Sequence, residues 1–560
     1  MSAARPLSHN DATGPCAVCG KSGLPCARCR VHYYCSKEHQ KEHWPQHKPG
    51  CGSIGLVNGV VVATKCIPAG TVIMREVPTL TFPSSPWTYH ALKIKWMCSA
   101  CYANMTWMKS AYQCTRCGLP VCDDQCSQST NHQVECQIMQ RAKYKVSEVD
   151  LRGPQNFFFG AVVATLRIAA AFRGNPLLQH LDREWNFEIE GYKRVPSATS
   201  MIRGNHKACS TVASLLRRTV KEFSEDDLKR AARISFMYGE EMEGPSPERF
   251  IGVTKQRYGR HLYLGMQLRK HSCYPNTGDR CMAPETAEHV VVTTRNISAG
   301  ECITKNHQGV DWLDETMQRR TLIFTRWGFV CDCERCSDPT EMGMYVGSPC
   351  CVVCARKGRQ SYLVPVVKDH SQWRCEGCNK KMTEAQVQCL TLDVEKKMDK
   401  LHGSPPDKLL KFIASQLHPR GPLHPTHGLV LRAKDYIRAY IYENRADEYA
   451  SESEIDTWEV VIRDLLRAMD RLLPGTSEAR IMALLELRRL VLGRVRLYCS
   501  DILLTALGDF KDVCPEIMDP SFWKDREAVL EVNKELCRYH FNRDEDEPKR
   551  SLINDPFGGR

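Results

Sequence analysis

The 560-residue sequence contains no run of about 18 uncharged apolar residues, which argues against a membrane-spanning helix. Its first 14 residues are polar and hold no apolar core of the kind a secretory signal carries. The expectation is a chain that works inside the cell, in the nucleus, the cytoplasm or both, with no membrane partner. In such a reducing compartment 30 cysteines do not form a disulfide framework. Their spacing favours metal instead.

The formal charge of +12 invites a reading as a nucleic-acid binder. Metal weakens that reading. The zinc sets assigned below use 21 cysteine thiolates, and about six zinc ions restore most of the charge those thiolates remove, which leaves the metallated chain at about +3. Direct nucleic-acid binding loses its main support. Protein or peptide partners are expected, on a chain read as a monomer. At about 150 residues per unit, the length predicts three to five units.

From Cys16 to Cys51 the order is Cys16-x2-Cys19, Cys26-x2-Cys29, Cys35, His39, His47, Cys51. Pairs close in sequence bite one metal together, and interleaving them gives two cross-braced sites in a module that folds on its metal. Cys16, Cys19, Cys35 and His39 form one set; Cys26, Cys29, His47 and Cys51 form the other. The pattern recurs from Cys98 to Cys136. There Cys98, Cys101, Cys122 and Cys126 form one set, and Cys114, Cys117, His132 and Cys136 the next. Further on, Cys273 pairs with the triplet Cys331-x-Cys333-x2-Cys336 to give four sulfur ligands, as a closed structural zinc site needs. Cys351, Cys354, Cys375 and Cys378 read as a zinc ribbon, with Cys350 as a spare adjacent thiol.

Between the metal sets, Val60 to Pro78 reads as two β-branched runs around Pro68-Ala69-Gly70, a hairpin signal. Glu288 to Thr304 repeats it around Ser298-Ala299-Gly300. Gly55 and Gly59 suggest a backbone that passes close to something. Residues 137–250 read mainly as helices: 161–172 is apolar nearly all round and so buried, and Ser224 caps a helix whose first turn is acidic. From about 384 only helices are expected. Trp458, Val461, Ile462, Leu465, Leu466, Met469, Leu472 and Leu473 form one apolar stripe that ends at Pro474-Gly475. Ser477 caps the next helix, through about Cys499, and a last helix spans Phe522 to about His540.

The run Tyr34 to Lys48 resembles the MYND zinc finger, in which His43 matches a histidine that is not a ligand. His271 to Asn276, the two strand–turn–strand segments and the Cys331 triplet together resemble a SET domain. With the second finger and the helical C-terminal region, the chain resembles the SET and MYND domain-containing family, in particular its arthropod-type members, which carry an extra N-terminal finger and a post-SET ribbon. The resemblance implies an α+β multidomain fold: SET β-sheets with an inserted MYND finger, an additional N-terminal MYND finger, a post-SET zinc ribbon and an all-helical C-terminal region. The expected boundaries are 1–14 disordered, 16–51 first finger, 52–97 SET N-terminal part and 98–136 second finger. Next come 137–250 helical insert, 251–330 SET C-terminal part, 331–383 post-SET and ribbon, 384–540 helical and 541–560 disordered.

It also implies S-adenosyl-L-methionine as methyl donor and a protein lysine as acceptor. By this likeness Gly55, Leu56, Val57, Asn58 and Gly59 align with the cofactor loop, and Lys270 and His271 with an Asn-His pair that holds the cofactor. His307 falls at the position of the catalytic tyrosine. Trp327, beside Gly328 and Phe329, falls where a second pocket tyrosine stands. These are departures. A protonated His307 would repel both sulfonium and amine. Lys270 brings an ammonium near a sulfonium, worth about 4 kcal/mol at roughly 4 Å and an effective dielectric near 20. Val57 puts a Cβ where glycine lets a backbone approach, and Trp327 narrows the lysine channel. Three functions follow for test: a protein-lysine methyltransferase acting on histone or non-histone proteins with an altered pocket, a non-catalytic adaptor in chromatin regulation that binds proline-containing peptides, and a nucleic-acid binder.

Overall fold

A computed structural model describes residues 14–18, 22–29, 31–48, 50–57, 59–84, 97–105, 112–147, 159–172, 181, 199–241, 259–283, 287–307, 311–366, 369–417, 421–475 and 477–506. Cys19, Asn58, the expected helix 522–540, residues 1–13 of the expected N-terminal tail and the expected C-terminal tail lie outside them; Gly14, placed in that tail by the sequence reading, belongs to the strand Gly14–Pro15. The chain divides into two compact units, residues 1–310 with 317–333, and residues 311–316 with 334–560.

In the first unit the two strand–turn–strand segments are not hairpins. Val60–Ala63 pairs antiparallel with Ile54–Val57, and Val72–Glu76 pairs with Glu288–Thr293, which pairs in turn with Thr277–Ala283. The segments clasp each other across more than 200 residues of sequence. Ile67 and Ile297 exchange both backbone hydrogen bonds at 2.9 Å, Gly70 N–H donates to Thr293 O at 2.8 Å, and Gly300 N–H donates to Ala63 O at 2.8 Å. Burial explains the choice. Ile67, Ile73, Ile297 and Ile303 are all buried, and mutual pairing covers both apolar faces, whereas each run folded on itself would leave its face open.

Beyond this clasp, Lys270–His271 lies parallel to Thr304–Lys305. The buried Asn276 locks the two together. Its amide donates to Cys302 O at 2.8 Å and Glu301 Oε1 at 3.0 Å, and its Oδ1 accepts from Thr304 N–H at 2.7 Å. A third sheet joins Leu80–Pro83, Gly259–Leu262 and Glu240–Glu241. Helices Phe159–Phe172, Thr199–Thr219 and Glu225–Tyr238 pack in this unit, the last capped by the reciprocal Ser224 and Asp227 bonds of a capping box.

In the second unit a three-stranded ribbon sheet, Leu363–Val366, Asp369–Cys375 and Lys381–Thr383, precedes helices Glu384–Asp399, Pro406–Leu417, Gly428–Asn444, Glu452–Leu472 and Glu478–Ala506. The Trp458 stripe faces the core of this bundle, and Ser477 Oγ accepts from Arg480 N–H at 3.2 Å. That helix runs past Cys499 to Ala506. Among the described residues no helix is long and apolar enough to cross a membrane.

Candidate active site and zinc clusters

Five ligand sets bring their atoms within 4.8 Å of one another: Cys26, Cys29, His47, Cys51; Cys98, Cys101, Cys122, Cys126; Cys114, Cys117, His132, Cys136; Cys273, Cys331, Cys333, Cys336; and Cys351, Cys354, Cys375, Cys378. Of the remaining set, His39 Nδ1 lies 3.4 Å from Cys16 Sγ and 3.1 Å from Cys35 Sγ. The separations test the fit. A tetrahedron with metal–sulfur bonds of about 2.3 Å has sulfur–sulfur edges of about 3.8 Å. The observed edges are 3.8 Å for Cys26–Cys51, 3.5 Å for Cys101–Cys122, 3.9 Å for Cys114–Cys136, and 3.7 Å for both Cys351–Cys378 and Cys354–Cys375. Donor type and geometry both fit zinc. His43 meets the Tyr34 hydroxyl at 2.9 Å, and the spare Cys350 thiol lies 3.5 Å from Leu423 O, with burial pushing its pKa up to about 11.

The pocket residues converge on two histidines. The His307 N–H donates to His271 Nδ1 at 3.1 Å. With that nitrogen accepting, the neutral ring carries its proton on Nε2, which lies 3.2 Å from Cys273 Sγ. One imidazole therefore joins the pocket to a zinc-ligand sulfur. Burial lowers the His271 pKa to about 4. His307 is only 4% exposed. Burial first, then the charges of His271, Lys305, Arg326 and Arg269, hold it well below the ordinary histidine range. It is neutral at physiological pH, which removes the repulsion expected of a cation at this position.

The His307 ring lies 4.8 Å from His271, 4.7 Å from Trp327 and 6.3 Å from Phe329, centroid to centroid. Trp327 is buried, with the Arg326 guanidinium 4.7 Å over its ring. Lys270 is exposed. Its charge is solvated, so the expected like-charge cost falls toward about 1 kcal/mol at roughly 4 Å in water. Val57 is 52% exposed at its strand end, and Gly59 has φ +79°.

Sequence reading missed the polar base beneath these rings. Lys305 Nζ donates to Glu240 Oε1 at 2.8 Å and Gln267 Oε1 at 3.2 Å. Arg269 forks onto Asp279 at 2.6 and 2.8 Å. Burial raises the Asp279 pKa, but Arg269 outweighs it and holds the carboxyl at about 2. Glu76 accepts from the Gly265 and Met266 N–H groups, and its burial pushes its pKa up to about 7. Lys305 closes the strand Thr304–Lys305 two residues before His307, so the approach to His307 is pinned by an ion pair whose members stand alone in the sequence, with no local signal.

Zinc-braced modules around a clasped set of small sheets, with a buried aromatic pocket beside a zinc thiolate, define a zinc-finger protein built on a SET-type fold. The MYND-finger family matches residues 16–51 and the SET-domain family residues 59–308. The chain is 26% identical to the SET domain-containing protein SmydA-8, isoform B, of Drosophila melanogaster over 337 residues, 58% of this chain and 66% of that protein. Isoform A matches over 64% of its length, so the chain spans just under two thirds of these relatives. A histone-lysine N-methyltransferase SET5 of Meyerozyma guilliermondii is 35% identical over 81 residues, 14% of this chain and 16% of that protein. The SET domain of LSMT, solved with lysine and AdoHcy, covers 78% of this chain and 83% of that one at 11% identity and a TM-score of 0.24; at that score it shows neither a shared site nor a shared ligand. The chain thus carries a MYND finger and a SET domain together.

Proposed function

We propose that the chain is an S-adenosylmethionine-dependent protein-lysine methyltransferase in which His307 takes the place of a pocket tyrosine. The observation that carries this reading is the placement of His307, a buried imidazole fixed by its backbone bond to His271 Nδ1 at 3.1 Å, where burial pulls its pKa well below the ordinary histidine value. Methyl transfer needs a neutral amine in line with the methyl group, in a dry channel with polar atoms near the reacting carbon. A neutral imidazole supplies an acceptor and adds no charge. The buried cations Lys305 and Arg269 are compensated by Glu240 and Asp279. The residues that would hold the cofactor are Leu56, Val57, Asn58, Gly59, Lys270, His271, Trp327, Gly328 and Phe329. Exposed Lys270 suits a carboxylate group. When bound, the cofactor supplies the electrophilic methyl group.

A second reading has its own observation. Trp327 is buried against His307 at 4.7 Å, so bulk occupies the place of the lysine channel. On that reading the chain is a non-catalytic adaptor whose fingers bind proline-containing peptides in chromatin regulation. Protein partners, histones among the candidates, a monomeric state and a nuclear or cytoplasmic site of action belong to both readings. Calorimetric titration of zinc-loaded protein with S-adenosylmethionine separates them. Micromolar binding followed by labelled-methyl transfer to a histone or peptide array supports the enzyme; no binding by a fully metallated chain supports the adaptor.

A further inference from the structure

Helix Phe159–Phe172 carries one charge, Arg167, in the middle of an apolar sequence. Arg167 is buried, yet its whole fork is used. Nε donates to Glu135 Oε2 at 2.8 Å, and Nη2 donates to Glu135 Oε1 at 2.7 Å and to Ser99 O at 2.8 Å. Nη1 donates to Thr81 O at 2.6 Å and to the Tyr102 hydroxyl at 2.8 Å. Glu135, fully buried, lies 3.0 Å from His132 Nδ1 through Oε1. The other face of that ring, Nε2, lies 3.4 Å from Cys117 Sγ inside the Cys114, Cys117, His132, Cys136 set.

An imidazole that gives its Nε2 lone pair to a metal keeps its proton on Nδ1. It therefore donates to Glu135, and Arg167 holds Glu135 on both oxygens. Neither charge reaches water. A buried ion pair is weak evidence for stability, because desolvation offsets its attraction. A carboxylate behind a metal-binding histidine has a sharper use: it fixes the tautomer and the ring direction, and its loss typically weakens metal binding about 10–100-fold. The same guanidinium also grips Thr81, on strand Leu80–Pro83, and Ser99, which sits between the ligands Cys98 and Cys101.

We propose that Glu135 and Arg167 are positioning residues for the zinc at Cys114, Cys117, His132 and Cys136, and that this zinc is a structural part of the Leu80–Pro83 strand and the Phe159–Phe172 helix and not of a separable finger. The inference does not depend on methyl transfer. It predicts that the second finger and this helix lose order together, while the first finger is free to lose its metal alone.

The test measures zinc release from the full-length metallated chain into a chromogenic chelator. In Glu135→Gln the zinc of the second finger is expected to leave about 10–100-fold faster than in the wild type, with the equivalents held outside residues 98–136 unchanged. Wild-type release of every equivalent from this variant, with an intact far-ultraviolet spectrum, overturns the proposal. Should the variant not fold, hydrogen exchange on the wild-type chain during chelation gives the answer. Peptides from 159–172 are expected to lose protection in step with those from 98–136. Persistent protection of 159–172 after 98–136 has opened overturns it.

Discussion

The His307 backbone N–H donates to His271 Nδ1 at 3.1 Å, and the opposite nitrogen of His271 lies 3.2 Å from Cys273 Sγ. A backbone amide, an imidazole and a zinc-ligand sulfur thus lie in one line, with the two rings 4.8 Å apart. The zinc cluster sets where His271 points, and His271 sets where His307 stands.

His307→Phe removes the polar atom and keeps a ring of similar bulk. If His307 serves methyl transfer, kcat for labelled-methyl incorporation falls about 100-fold, the lower end of what a positioned acid–base group contributes, while cofactor affinity by calorimetry is unchanged. His307→Tyr retains a large part of the activity. Equal rates in all three proteins would sink the role assigned to His307.

Cys273→Ser removes one ligand of four and a partner of His271. Metal content by mass spectrometry of the native protein is expected to fall by one zinc. Because thiolates bind zinc far better than a hydroxyl does, full metal content in this variant would break the assignment of Cys273 as a ligand.

His427 gives a pH signature. It is the N-cap of helix Gly428–Asn444, and burial lowers its pKa to about 4. In the unfolded chain the group titrates near the ordinary histidine value of 6.5. Between these values the unfolded state binds more protons, so stability is lost as pH falls from 6.5 toward 4, at up to about 1.4 kcal/mol per pH unit. Asp279 acts in the opposite sense and lower down: its stabilisation is present above 3.8 and is lost as pH falls through about 2. His427→Asn keeps a good cap without the titration. Its stability relative to the wild type is expected to improve steadily between pH 6.5 and 4.5 in urea melts. Taking the difference cancels acid release of zinc, which is common to both proteins.

Gly118 follows the ligand Cys117 with φ +79°, and a Cβ there would overlap the Val146 carbonyl. Gly118→Ala is expected to cost about 1–2 kcal/mol from the left-handed backbone and more from the overlap. Thermal melting checks it; an unchanged midpoint would mean that the turn relaxes.

Trp458 is buried in the core of the C-terminal helices. Trp458→Ala is expected to destabilise the second unit by about 3–5 kcal/mol, with zinc content retained. A denaturation midpoint within error of the wild type would remove it from that core.

The ligand sets were legible because metal chemistry leaves local marks. A Cys-x2-Cys pair bites one ion through a short turn, whatever the rest of the chain does. The Trp458 stripe and the Ser224 cap were legible for a similar reason: helix signals span only three or four residues. The segments Val60 to Pro78 and Glu288 to Thr304 were read correctly as strands and wrongly as hairpins. A β-branched run states that a strand forms, not which strand lies beside it, and here the partner that buries Ile67 is Ile297.

The sequence by itself therefore marked the five cysteine and histidine sets that cluster in space, the helices of the second unit and the SET and MYND likeness, each through short local spacings. Only the tertiary structure decided that His307 is buried, that Lys270 is exposed and that Arg167 reaches His132 through Glu135. Charge state and hydrogen-bond partners depend on what is excluded from water, and burial is a property of residues brought together from distant parts of the chain.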